Sequence, residues 1–283
     1  MKVDKLRTVI IYIIIILLGL VCLLPLLNIV AISFSSSAAV EGNMVGLIPV
    51  GFSTAAYEKI LEDSQFWHSF LISVERVVLA LIINFVLIVL MAYPLSKTNA
   101  QFRGRNIYAN LMIFAMLFNG GMIYGLLNTV WALVLPGAVP IFNVILVMNF
   151  FAAVPKELEE AAFIDGANPL QVLTKIFIPI SKPVLATVSL FSIVGSWNDF
   201  YSGLIYMSKA AYYPLMTYIQ SLQINVEDLI KQGNLSAVVD SAALGNTNLN
   251  AAKIVVAVIP LLLIYPLLQR YFVSGIVVGS VKG

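Results

Sequence analysis

The sequence predicts an all-α integral membrane protein of six transmembrane helices with a short helical elbow on the cytoplasmic side. Three observations carry that reading. Hydrophobic residues make up 60% of the 283-residue chain and charged residues 11%, against roughly 25% charged in soluble domains, and the mean hydropathy is +0.97. A chain this apolar cannot cover its own surface with polar groups, so lipid serves as solvent for most of it. The apolar residues are gathered into six runs, most near the ~20 residues that cross a bilayer core. The cations are lopsided: of 16 Lys and Arg residues, only Lys59, Lys209, Lys231 and Lys253 fall on the outer side, Arg76 lies within a span, and the other eleven fall on the side of the termini. That bias satisfies the positive-inside rule and places both termini in the cytoplasm. A net charge of +2 gives no reason to expect nucleic acid.

The first span is expected over 9–32, after Lys2, Lys5 and Arg7. A cleaved signal peptide is the competing reading, but the apolar run exceeds the usual ~7–15 residues and no small-x-small site follows it closely. Residues 33–65 turn polar and small, with Ser35-Ser36-Ser37 and Pro49-Val50-Gly51, and end in an amphipathic piece around Tyr57 to Leu61. They form an outer loop. The second span covers 66–93, carrying Glu75-Arg76 near its outer end, and Lys97 to Arg105 makes a short basic link. A third span over 106–122 is interrupted by Asn119-Gly120-Gly121; a fourth covers 130–151 and a fifth 183–207. A second outer loop, 208–250, leads to the sixth span at 251–272 and a short tail. No internal repeat divides the chain, which reads as a single transmembrane domain over 1–283.

Between the fourth and fifth spans lies a polar island, the elbow at 155–180. Pro155 sets a helix start, and Glu157, Glu159 and Glu160 crowd its first turn, where negative charge meets the positive end of the helix dipole. Asp165-Gly166 stops that helix, since glycine takes the left-handed conformation that closes a C-terminus, and Asn168-Pro169 caps and starts a second. The second helix is expected to run to about Ile176 and to end at Ile178-Pro179.

Several chemistries are excluded. No glycine-rich loop ends in Gly-Lys-Ser or Gly-Lys-Thr, so the chain has no ATPase site of its own. His68 is the lone histidine and Cys22 the lone cysteine, so neither a catalytic triad nor a histidine or cysteine metal centre can be assembled. Paired carboxylates at mid-membrane, expected of a proton-coupled carrier, are missing. What the spans do hold is a polar cluster in the fifth: Trp197, Asn198, Asp199 and Tyr201 within two turns. Polar groups at membrane depth are costly unless they face a bundle interior or an aqueous path, and aromatic faces beside amides suit sugar rings. These four are candidate path residues, with Asn143, Asn149, Asn119 and Tyr124 on the neighbouring spans. Helix–helix hydrogen bonding is the competing reading for all of them.

The elbow's spacing adds a resemblance. Glu160-Ala161-Ala162, three residues, Gly166, nine residues, Ile176, one residue, and Ile178-Pro179 resembles the EAA loop of ATP-binding-cassette importer permeases, with isoleucine at 178 where leucine is usual. The stretches WALVLPGAVPIFNVILVMNFF, SWNDFYSGLIYM and QRYFVSGIVVGSVKG resemble the carbohydrate-uptake branch, closest to permeases for oligosaccharides and polysaccharide fragments. The resemblance implies the type I importer permease fold in a bacterial cytoplasmic membrane. It implies a second, homologous permease subunit, two cytosolic ATPase subunits that bind ATP and Mg, an extracytoplasmic solute-binding protein and an oligosaccharide substrate. It makes the elbow the coupling helix, with Glu160, Ala161, Ala162, Asp165, Gly166, Ala167 and Pro179 as its ATPase-coupling residues. An importer of a non-sugar solute, such as a peptide or phosphate, stays open, as does the remoter reading of a secondary carrier.

Overall fold

The computed structural model describes residues 2–117, 125–222 and 247–279. Among them the chain is helical with no strand, as the sequence predicts. It forms two compact units, one of Met1–His68 with Tyr218–Ile259 and one of Ser69–Thr217 with Pro260–Gly283.

In the first unit, α1 (Lys2–Ser33) is an apolar rod whose side chains are all exposed from Arg7 to Leu27, with burial beginning only at its C-terminal end, at Ala31 and Ser33. Such a helix is stable only where lipid covers it. Its C-terminal end is held by Asn28, whose Nδ2 donates to Gly46 O at 2.7 Å, and by Phe34, stacked between Phe52 and Tyr57. Two short helices follow, α2 (Ser37–Glu41) and α3 (Ala55–Glu62), the second matching the expected amphipathic piece. Asp63 then caps α4 (Ser64–Leu95) by accepting the Phe66 amide at 2.9 Å. The same carboxylate pairs with Lys253 at 2.7 Å and accepts the Tyr218 hydroxyl at 2.9 Å. Burial alone would raise the Asp63 pKa, but the bonds from Lys253, the Phe66 amide and Tyr218 outweigh it and hold the carboxyl below its ordinary value. Lys253, counted among the outer cations from the sequence, is itself buried, at the start of the last long helix (Thr247–Gly279).

The second unit holds α5 (Arg105–Leu117), α6 (Val130–Val134), α7 (Ile141–Ala152), α8 (Lys156–Ile164), α9 (Pro169–Val172), α10 (Ile178–Ile180), α11 (Lys182–Asn198) and α12 (Tyr201–Tyr206). Its core joins Ile88, Val89 and Ala92 of α4, Val144, Val147 and Phe151 of α7, and Val184, Leu185 and Val188 of α11 to Val172, Leu173 and Phe177 at the root of the elbow. Lipid is as apolar as these side chains, so between spans it is close packing that holds them.

Among the described residues, Arg7–Ser33, Ser64–Leu95 and Thr247–Leu267 are helices long and apolar enough to cross a membrane. Two bent pairs bring the number to five if each is one span: Val130–Gly137 with Ile141–Ala152, bent by 45°, and Pro169–Ile180 with Lys182–Asn198, bent by 84°. Of the expected third span only α5 is described; the rest of it, with the candidate path residues Asn119 and Tyr124, lies outside the described residues. The fourth span is not one helix, because Pro136 and Pro140 remove amide donors and the backbone passes through a 3-10 turn at Leu135–Gly137. The fifth stops at Asn198: Asp199 is extended, and its Oδ1 accepts the Ser202 amide at 3.1 Å, opening α12 instead of continuing α11. Pro179 does not end the elbow's second helix. A π-turn over Leu173–Phe177 precedes it and carries the helix on through α10, so the sharp bend falls at Ser181.

Gly203 shows how tightly α12 is set. A methyl at its Cα would lie 2.0 Å from Thr217 Oγ1, and that hydroxyl is held by donating to Phe200 O at 2.9 Å. Gly203→Ala is expected to destabilise the chain by about 1–3 kcal/mol, an overpacking cost. Thermal unfolding of the purified variant in detergent checks this against Gly19→Ala in α1, where a methyl meets nothing within 4 Å.

Candidate functional site

Two features of the second unit bear on function, the elbow and a polar cavity. The elbow is built as its residues dictate. Pro155 precedes α8, and at its far end Gly166 sits at φ +82, closing the helix with Ala167 N donating to Ala162 O at 2.9 Å. Asn168 and Gln171 then form a reciprocal capping box, each side chain accepting the other's backbone amide at 2.9 Å, with Pro169 in the first helical position. Glu160, Ala161, Asp165, Gly166 and Pro179 are exposed; Ala162 and Ala167 are half-buried and pack on the core. Around the acids stand Leu158, Phe163, Ile164 and Leu170, the isoleucine 86% exposed. A rigid tip carrying apolar side chains and two carboxylates is suited to a protein partner.

Glu159 points the other way. It is buried, and Lys97 Nζ lies 2.7 and 2.6 Å from its two oxygens, with the Tyr93 hydroxyl donating to Oε1 at 3.3 Å. The same ammonium sits over the rings of Tyr93 and Phe177, at 4.2 and 4.4 Å from their centroids. Helical spacing turns adjacent side chains about 100° apart, so the Glu159-Glu160 pair splits between inside and outside. The sequence reading gave both glutamates to the first-turn dipole and singled out only Glu160.

The cavity, of about 210 Å3, is lined by Arg76 and Asn84 of α4, Gly137 and Pro140 of the broken segment, Asn143 of α7, and Ser192, Ser196 and Asp199 at the end of α11, with Phe191 as an apolar wall. Arg76 is 4% exposed and anchors it: Nη1 donates to the Asp199 carbonyl at 3.0 Å and Nη2 pairs with Oδ2 at 2.5 Å. Thus the arginine satisfies both the side chain and the carbonyl that the helix break leaves free. With its amide nitrogen facing acceptors, Asn84 does the same for the other break, donating to Ala138 O at 3.0 Å and to Gly137 O at 3.2 Å. Asn143 Nδ2 reaches Val188 O at 3.5 Å. The cavity is charge-balanced, rich in amide and hydroxyl groups, and sized for a small polar moiety.

Of the candidate path residues, Asp199 and Asn143 come together here. Trp197 is buried with its ring edge-to-face with Phe70, 5.6 Å between centroids. Asn198, Tyr201 and Asn149 are exposed and do not line the cavity. Arg76, Asn84, Ser192 and Ser196 were not singled out from the sequence. For Arg76 the signal existed: it is a cation more than two turns inside an apolar span, and such a residue marks a functional site with a partner to be named.

The chain is 38% identical to protein LplC of Bacillus subtilis over 94% of its own length and 91% of that protein. It is 37% identical to the polygalacturonan/rhamnogalacturonan transport system permease protein YtcP of the same organism, covering 99% of each. A crystal structure of a bacterial ABC transporter involved in the import of the acidic polysaccharide alginate contains a chain matched with a TM-score of 0.81 and 32% identity, over 96% of this chain and 98% of that one. Relatives of this kind are permease subunits, which are not themselves enzymes. Residues 76–278, from Arg76 at the cavity through the elbow and into the last helix, match the model of one family, and the chain belongs to it: the inner membrane components of binding-protein-dependent transport systems.

Proposed function

We propose that this chain is a permease subunit of an ATP-driven importer, that its cavity belongs to the translocation path for an oligosaccharide, and that its elbow couples the path to cytosolic ATPase subunits. The observation that carries the path is the Arg76–Asp199 cavity, polar and bordered by two helix breaks within the membrane domain. Irregular backbone at membrane depth is tolerated where it lines a cavity, and amide and hydroxyl groups beside Phe191 match the hydroxyl rim and apolar face of a sugar ring. The names of the polygalacturonan and alginate systems support a saccharide, with carboxylated oligosaccharides first in line.

The importer holds this chain, a second homologous permease, two ATPase subunits binding ATP and Mg, and a solute-binding protein, in a plasma membrane with both termini of this chain cytoplasmic and six spans between them. Glu160, Asp165 and the apolar side chains around them dock on the ATPase, Ala161 and Ala162 allow close approach, and Gly166, Ala167 and Pro179 shape the elbow. ATP binding closes the ATPase pair, the elbows move with it, and the spans exchange inward-facing and outward-facing arrangements.

Uptake in cells lacking or carrying this gene tests the substrate class, with labelled oligogalacturonate, oligoalginate, a neutral maltooligosaccharide, a dipeptide and phosphate. Loss of an oligosaccharide alone upon deletion, restored by the gene, is expected. Loss of peptide or phosphate uptake with all sugars unaffected would overturn the saccharide assignment.

A further inference from the structure

The elbow is attached to the second unit by non-helical joints at both ends, Ala153 to Pro155 before α8 and Ser181 after α10, where the chain turns by 84°. Joints of this kind can flex, and what ties the elbow to the spans across them is packing: the apolar core at its root, through Val172, Leu173 and Phe177, and one set of polar contacts that reaches both of its helices. Lys97, just past the end of α4, holds Glu159 of the elbow's first helix through both carboxylate oxygens and at the same time lies on the ring of Phe177 in its second. Phe177 is in turn edge-to-face with Tyr93 of α4 at 5.1 Å and with Phe151 of α7 at 5.4 Å. A single ammonium thus clamps both elbow helices to one span. The lysine and glutamate side chains are only 12% and 11% exposed. A pair this buried adds little net stability but fixes geometry, because either charge alone in that position is unfavourable.

The span it grips leads to the cavity. α4 is continuous from Ser64 to Leu95, with its single proline, Pro94, confined to the last turn. Arg76 and Asn84 lie 19 and 11 residues before Leu95, about 28 and 16 Å along the axis at ~1.5 Å per residue. We propose that the Lys97–Glu159 pair is a latch that makes the elbow and α4 one rigid body, so that α4 delivers the elbow's displacement to the Arg76–Asp199 end of the cavity. This rests on the reading of the elbow as the ATPase-docking element. Lys97 and Glu159 are therefore positioning residues: they contact neither substrate nor nucleotide, and they act through α4.

A distance inside the chain tests it. In the intact transporter purified with its natural partner subunits, with Cys22 replaced by serine, spin labels are placed at Lys175 on the elbow's second helix, outside the docking tip, and at Ile82 on α4, both exposed. The distance is read with and without MgATP and vanadate. In the otherwise unaltered chain it is expected to stay the same, since both labels ride on one body. With Lys97→Met, and independently with Glu159→Gln, the ATPase still copurifies but nucleotide shifts the distance by about 5 Å, the size of a one-turn displacement. Maximal saccharide uptake falls about tenfold, within the ~5–150-fold range of site-to-site coupling, at unchanged half-saturation, and Lys97→Arg restores both readouts.

A nucleotide-dependent shift in the unaltered chain would overturn the latch, and so would a constant distance in both variants. Loss of the ATPase from both variants would assign the pair to docking, and failure of both to insert would assign it to folding; either overturns the proposal. Should the unaltered complex carry no ATPase at all, the coupling role of the elbow fails instead, which keeps the two results apart.

Discussion

Arg76→Leu is expected to lower stability by about 3 kcal/mol, the lower end of the ~3–5 kcal/mol that breaking a buried ion pair costs, and to abolish uptake. Arg76 itself is 4% exposed, whereas the Asp199 side chain is 28% exposed, and that partial access to water is why the lower figure applies. Losing the guanidinium strips Asp199 of a partner for its Oδ2 and for its backbone carbonyl. Among the described residues, Ser202 alone then remains on that carboxylate, through its hydroxyl and its amide. Leucine fills much of the space, so the loss is electrostatic and not a cavity effect. A double variant separates the two consequences. Arg76→Leu with Asp199→Asn removes both charges and is expected to recover much of the stability, because an uncharged pair leaves no unpaired carboxylate. Uptake stays lost in the double variant, since the polar wall of the path has gone. Thermal unfolding in detergent and labelled-saccharide uptake read the two effects. An Arg76→Leu chain as stable as the parent would show that the pair carries no weight in the fold, and full uptake by the double variant would remove it from the path.

The sequence made the spans and the elbow legible and hid the partners. Apolar runs report composition, which is enough to place α1, α4 and Thr247–Gly279, but a run does not reveal where its helix breaks. The fourth break carried a local signal, since Pro136 and Pro140 sit inside the apolar stretch. The fifth carried a weaker one: Asp199 stops α11 only because its carboxylate accepts the Ser202 amide and Arg76 satisfies its carbonyl. That arginine is 123 residues away in sequence, and no periodicity links the two. The elbow was legible almost residue by residue because its determinants are local: a left-handed glycine, a capping asparagine and a first-turn proline. Its outer end was less so. The π-turn that carries the helix past Pro179 has no sequence signal, and neither did the inward turn of Glu159, which depends on Lys97 being waiting at the end of another helix.

Gly166→Pro is expected to leave the chain inserted in the membrane while abolishing saccharide-stimulated ATP hydrolysis by the assembled transporter. Gly166 adopts φ +82, a region open to glycine and closed to proline, whose ring holds φ near −65°. Proline also deletes the amide that donates to Phe163 O at 3.1 Å, one of the bonds closing α8. The cost, about 3 kcal/mol or more, falls on an exposed turn where a methyl at residue 166 would meet nothing within 4 Å. The spans therefore keep their packing and only the angle between α8 and α9 is lost. A graded series makes the argument sharper. Asparagine tolerates the left-handed region and is expected to retain most of the stimulated hydrolysis. Alanine pays roughly 1–2 kcal/mol for that conformation and falls between. Proline is inactive, with ATPase copurification reduced in the same order. Because no atom crowds position 166, side-chain volume cannot produce this ranking, and backbone conformation alone predicts it. Equal stimulated hydrolysis across asparagine, alanine and proline would show that the shape of the elbow does not matter to coupling, and the coupling role assigned to it would have to be given up.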